Sequence, residues 1–229
     1  MIGVEEYNQP GELERVQRKS TAAIVADQLR SAIMHGSLEP GSQLGEADLA
    51  QRLGVSRGPL REAMQRLVQE GLLTSEPHRG VFVTSLDADD VYDIYTARLA
   101  VERAACEQIL RYHRVEAVAE LTAAHGRMVT AAEGGDPFEI ADADQEFHET
   151  LVRVSASPRL QRMARTLLVE KRMCLNALQD KYPQHDGRGL VEEHGGLVDA
   201  IEAGDRDLLL TRLEAHMTDA LKRLNASFE

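Results

Sequence analysis

Asp144 and His148 stand four residues apart in the run Asp144-Gln145-Glu146-Phe147-His148, a spacing that puts both side chains on one helix face. His194 and His216 fall on two later helical stretches. One carboxylate and three imidazoles brought together from three helices could hold a divalent transition metal, since mixed nitrogen and oxygen donors suit such ions. Spacing alone leaves this open. Asp144 and His148 could form an ordinary helix pair, worth a few tenths of a kcal/mol. Any single histidine among the 8 in the chain is more often a surface or core residue than a ligand, and His35, His78, His113, His125 and His185 are read that way. A second set carries different chemistry. Arg57 and Arg61 share a helix face, Arg66 lies further along, and Arg79-Gly80 follows in a loop. Arginine donates bidentate hydrogen bonds to guanine O6 and N7 and also binds phosphate, so this set points to DNA. Its plainer alternative is a solvated helix face.

The elements that would position these residues are readable from apolar spacing and from helix punctuation. Residues 1–18 are polar and expected to be flexible. Ile24, Val25, Leu29 and Ile33 predict a helix over 22–34, stopped by His35-Gly36. A short helix over 46–53, the tight turn Gly54-Val55-Ser56 and a third helix over 57–70 come next. Ser56 is the expected N-cap, and Pro59 falls in the first turn, where its missing N–H is harmless. Strand-like runs at 72–75 and 81–84 flank Glu76-Pro77-His78-Arg79-Gly80 and predict a hairpin. Three short helices and a hairpin make a winged helix-turn-helix, expected over residues 19–85.

Beyond Ser85 the pattern is helical throughout, with helices expected near 87–111, 114–133, 137–155, 158–180, 188–203 and 206–225. Asp136-Pro137 and Ser157-Pro158 each place a capping residue before a first-turn proline. The fold class is therefore mainly α, a winged head followed by an all-α antiparallel bundle over residues 86–229. The chain of 229 residues carries a net charge of -12. Residues 1–85 hold 9 Lys+Arg against 11 Asp+Glu, so most of the acidity lies in the second half and leaves room for DNA at the first. No apolar run reaches the roughly 18 residues of a membrane span, and the N-terminus lacks a signal-peptide pattern. With only 2 cysteines, Cys106 and Cys174, a reducing cytoplasm is expected.

The segment PGSQLGEADLAQRLGVSRGPLREAMQRLVQEGLLTSEPHRGVFV, residues 40–83, resembles the DNA-binding domain of the GntR family, through the run LAxxLGVSRxPLREAxxRLxxEGLL and its glycine wing. The resemblance implies a dimeric transcriptional regulator on an inverted-repeat DNA operator. It carries base and phosphate contacts onto Ser56, Arg57, Pro59, Arg61 and Gly80, to which the spacing adds Arg66 and Arg79. One position departs: some members place an arginine where this chain has Ala47, and Arg52 is a speculative substitute.

The helical half resembles the FCD domain of the FadR subfamily. This implies that Asp144, His148, His194 and His216 hold a metal, with zinc first and nickel or manganese as alternatives. It also implies a small carboxylate effector whose oxygens complete the metal's coordination. Arg98 matches an arginine recurring on that domain's first helix and would grip the acid; its alternative is an ion pair with Glu102, four residues on. Arg172 and Asn176 are further candidates for the cavity wall. Two other readings stand beside this one: a metalloenzyme, for which no general base is evident, and an architectural DNA-binding dimer.

Overall fold

In a computed structural model, which describes residues 19–177 and 187–225, Ser20 starts the first helix by accepting a hydrogen bond from the Ala23 amide. That helix, α1 (Thr21–Met34), turns Val25, Ala26, Leu29 and Ile33 inward. The next, α2 (Glu46–Leu53), ends at Gly54, whose φ of 65° is strained for any side chain that carries a Cβ. This turn launches α3 (Arg57–Gln69), which closes the head's core with Leu60, Ala63, Met64 and Leu67. Ser56 takes the N-cap position of α3, but its side chain makes no capping hydrogen bond. The expected flexible segment over 1–18 lies outside the described residues.

The wing pairs β2 (Leu73–Glu76) with β3 (Gly80–Val83) antiparallel, Thr74 opposite Phe82. A further strand, β1 (Gln43–Leu44), pairs on the other edge of β3, giving the order β1-β3-β2. A three-stranded sheet thus replaces the lone hairpin expected from sequence. Two residues are too few to show alternation, yet β1 covers an edge of β3 and buries Leu44.

Asp87 and Asp90 form a capping box that starts α4 (Ala88–Gln108). The chain then passes through a π-helical turn, Ile109–His113, into α5 (Arg114–Gly134). The apolar pattern suggests a break there, and the wider π turn makes the transition while keeping Ile109 buried. Asp136 caps α6 (Pro137–Val154), which is followed by α7 (Pro158–Ala177) and α8 (Gly187–Ala203). Asp205 accepts from the Leu208 amide at the start of α9 (Arg206–Asn225). Phe147, Leu151, Leu197, Ile201, Leu209 and Leu213 fill the core of this bundle.

One helix serves both cores. Val169 and Met173 of α7 pack into the head, whereas Leu168 and Cys174 pack into the bundle. Gly71 follows α3 with φ of 82°, and a Cβ there would meet Glu170 and Thr166 of α7 at 3.1 Å, so this seam requires glycine. No helix of the described residues is long and apolar enough to cross a membrane.

Candidate metal centre and nucleic-acid face

Helix α6 carries Asp144 and His148 one turn apart, α8 carries His194 and α9 carries His216, and all four are buried. The helical spacing and the bundle bring their ligand atoms within 4.8 Å of one another. His148 Nε2 lies 3.3 Å from His194 Nε2 and 3.2 Å from His216 Nε2. Asp144 Oδ1 lies 3.2 Å from His194 Nε2 and 3.7 Å from His148 Nε2.

The other ring nitrogens decide the tautomers. His148 Nδ1 donates to Glu102 Oε2 at 2.7 Å, His194 Nδ1 to the Leu190 carbonyl at 2.7 Å, and His216 Nδ1 to Glu193 Oε2 at 2.8 Å. These partners only accept, so each neutral imidazole turns a bare Nε2 lone pair inward. Three lone pairs and a carboxylate oxygen facing each other repel unless a cation lies among them. Separations of 3.2–3.7 Å between these donor atoms leave room for one such ion, whose bonds to nitrogen are about 2.0–2.1 Å long.

Electrostatics favour the neutral form of His148 and His216. Burial pushes His148 down to about 3, outweighing the Glu102 carboxylate beside it, and burial also lowers His216. Burial works against ionising Glu102, but His148 and Arg98 beside it bring its pKa to about 2. At Asp144, too, burial disfavours the charge, yet the Lys171 ammonium and the histidines hold the carboxyl well below its ordinary value. A histidine with a depressed folded pKa stabilises the fold above its ordinary value of 6.5 and loses that contribution as pH falls toward 3. The depressed carboxylates add a second loss below their ordinary values of 3.8 and 4.5. Metal-free protein is therefore expected to melt at progressively lower temperature as pH drops from about 6.5 to about 4. Circular dichroism melts across that range check this, and a flat profile would contradict it.

Lys171 is the site residue that spacing does not reveal. Its buried ammonium contacts Asp144 Oδ2, leaving Oδ1 toward the histidines. Arg98 is also buried and forms the ion pair with Glu102 that the sequence offered as its alternative role, Nε to Oε1 at 3.0 Å. Its Cζ lies 4.9 Å from the centre of the Tyr95 ring. Arg172 is buried and pairs with Asp142 at 2.8 Å. Asn176 sits near the end of α7, and its side chain is outside the described residues.

Glu193 holds His216 and is held in turn by Arg223, 2.9 Å away. Outer partners of this kind orient ligands and raise their basicity, and losing one weakens metal binding about 10–100-fold. Glu193→Gln is expected to weaken metal binding by that factor, measured by competition against a fluorescent chelator. A change below about threefold would deny Glu193 this orienting role.

The head presents Ser56, Arg57, Arg61, Arg66, Arg79 and Gly80 exposed, with Pro59 half-buried at the start of α3. Four arginines of the head are ion-paired: Arg61 with Glu46 at 2.7 Å, Arg66 with Glu70 at 2.9 Å, Arg52 with Asp48 at 3.6 Å, and Arg79 with Glu76. Glu46 reaches Arg61 from α2, which the spacing along α3 does not disclose. Exposed pairs of this kind contribute little and exchange readily for phosphate. Arg57 has no such partner among the described residues.

Residues 21–83 match the family of bacterial regulatory proteins, gntR family, and residues 93–219 match the FCD domain. The chain is 31% identical over 209 residues to the gluconate operon transcriptional repressor of Bacillus licheniformis, covering 89% of this chain and 85% of that one. It is 32% identical over 204 residues to the probable D-xylose utilization operon transcriptional repressor of Paenarthrobacter nicotinovorans, covering 89% and 88%. Among solved structures it resembles a GntR-type transcriptional regulator from Rhodococcus sp. RHA1, with a TM-score of 0.77, 26% identity and coverage of 92% and 100%. It also resembles E. coli McbR/YncC, with a TM-score of 0.78, 25% identity and coverage of 93% and 100%.

Proposed function

Because the chain belongs to the GntR family of bacterial regulatory proteins and carries an FCD domain, we propose that it is a DNA-binding transcriptional regulator whose hold on its operator is set by a small carboxylate bound at a metal. Asp144, His148, His194 and His216 would hold the ion, with zinc first among the candidates and nickel or manganese next. A bound divalent ion would supply a Lewis-acidic centre that takes acid oxygens by expanding its coordination beyond these four ligands. Arg98 and Arg172, with Asn176 on the same helix as Arg172, would face the acid.

The observation that carries this reading is the convergence of three Nε2 lone pairs and one carboxylate oxygen within 4.8 Å inside the bundle. The named relatives are transcriptional repressors, not enzymes, and their operons concern gluconate and D-xylose. On the head, Ser56, Arg57, Pro59, Arg61, Arg66, Arg79 and Gly80 would meet DNA, with α3 in the major groove and the wing along the backbone. Two heads of a homodimer would then read an inverted repeat.

Helix α7 supports the coupling. Lys171 touches Asp144, while Val169 and Met173, about 200° around the same helix, lie in the core of the head. A ligand shifts the heads only by its differential affinity for their two arrangements. Fluorescence anisotropy of operator-bound protein, titrated with carboxylates in the presence of metal, tests this reading. A changed DNA affinity supports a sensor. Unchanged affinity at saturating acid would sink it and favour an architectural dimer.

A further inference from the structure

We propose that the acid taken by this site carries two negative charges, as a small dicarboxylate does, and that Lys171 sets the preference for it. The proposal rests on the metal and carboxylate reading above and adds the charge class of the ligand.

Three buried cations lie near the cluster, each facing one acid: Arg98 with Glu102, Lys171 with Asp144, and Arg172 with Asp142. Imidazoles that ligate a metal do so in the neutral form, and Glu193 with Arg223 forms another balanced pair. The described residues of the site are thus neutral as a set before anything binds. A divalent ion adds two positive charges to a region where Arg98, Glu102, Lys171 and Arg172 are 2%, 1%, 3% and 4% exposed. Uncompensated charge is strongly disfavoured there. One carboxylate cancels half of the excess and a second cancels the remainder. Asp142 is 72% exposed, so water screens the charge opposite Arg172 and leaves the inner side more positive still.

Hydrogen bonding points the same way independently. Arg98 Nη2 and Arg172 Nη1 are buried without a hydrogen-bond acceptor among the described residues. Arg98 Nη2 lies 3.0 Å from Glu102 Oε1 but lacks hydrogen-bond alignment with it. These donors stand on two helices, α4 and α7, so an acid with oxygens at both ends can satisfy both. A monocarboxylate supplies oxygens at only one end.

Lys171 is the adjustable member of this balance. Its ammonium offsets Asp144, the one acid that also serves as a metal ligand. Lys171→Gln keeps an N–H donor for Asp144 Oδ2 and removes one positive charge. The metal-loaded site would then carry one excess charge, which a single carboxylate satisfies.

The experiment is calorimetric titration of the metal-loaded, full-length protein with matched acids: succinate against butyrate, and malate against 3-hydroxybutyrate. The dianion of each pair is expected to bind at least about tenfold more tightly, the scale of one further charge-assisted hydrogen bond. In Lys171→Gln, loaded at saturating metal, the preference is expected to shrink below about threefold. Monoanions binding as tightly as dianions to the wild type would overturn the proposal and leave carboxylate sensing intact. A preference that survives Lys171→Gln undiminished would overturn the role of Lys171. Absence of binding by all four acids would overturn the dicarboxylate proposal, and unchanged DNA affinity across a wider acid panel would separately remove the sensor reading beneath it. The wild-type comparison needs no variant, so a poorly folded Lys171→Gln does not blunt it.

Discussion

Replacing His194 with alanine is expected to weaken divalent-metal binding by more than about a hundredfold, because even an outer partner is worth about 10–100-fold. His194 is the cleanest ligand to remove. Its Nε2 faces both Asp144 and His148, whereas its Nδ1 only meets the Leu190 carbonyl on its own helix. Removing His148 instead would strip the buried Glu102 of a partner and confuse loss of metal with loss of fold. The expected stability readout follows from linkage. Metal at roughly 100 times its dissociation constant stabilises wild-type protein by about 2.7 kcal/mol, and a hundredfold weaker site retains only about 0.4 kcal/mol at the same concentration. Thermal melts with and without metal measure both quantities. An equal metal-induced shift in wild type and His194→Ala would place the metal elsewhere.

The second large effect concerns DNA. Arg57→Ala is expected to cost about 1–3 kcal/mol of operator binding for each base that Arg57 reads, and about twice that where both heads of a symmetric dimer read it. Arg57 stands at the exposed start of α3 and has no carboxylate to leave behind among the described residues. Arg52→Ala is the control: it is exposed and already paired with Asp48 on its own helix. Anisotropy titrations at several salt concentrations also separate two roles for Arg57. If Arg57 reads a base, its removal relaxes sequence preference. If it binds a phosphate, its removal weakens all sequences alike and lowers the salt slope by about one. Equal effects of Arg57→Ala and Arg52→Ala would contradict a reading role for the start of α3.

Much of this architecture is legible in sequence because punctuation and periodicity agree. Asp136-Pro137 and Ser157-Pro158 mark the starts of α6 and α7, and Asp205 caps α9. The metal set is legible in part, since spacing places Asp144 and His148 on one face. Only the bundle shows that His194 and His216 come to meet them. Lys171 escapes notice because a lysine beside an arginine on an amphipathic helix ordinarily points to water. Here the helix is wedged between two cores, so Lys171 and Arg172 are buried while Arg159, Arg162 and Arg165 earlier on α7 stay exposed. Glu102 reads from spacing as a partner of Arg98, but its bond to His148 spans 46 residues and depends on helix packing. The pairing of Arg61 with Glu46 depends likewise on the crossing of α2 and α3. Local rules reach along a helix and stop at its neighbours.

A metal-dependent acid sensor needs both the ion and the acid at the four buried side chains. Elemental analysis followed by a thermal-shift screen against small carboxylates, with wild type and Asp144→Ala side by side, tests it most directly. The expected result is bound divalent metal in the wild type, stabilisation by at least one acid, and loss of both in Asp144→Ala. A wild type that takes up no metal, or an Asp144→Ala variant that keeps both metal and response, would contradict it.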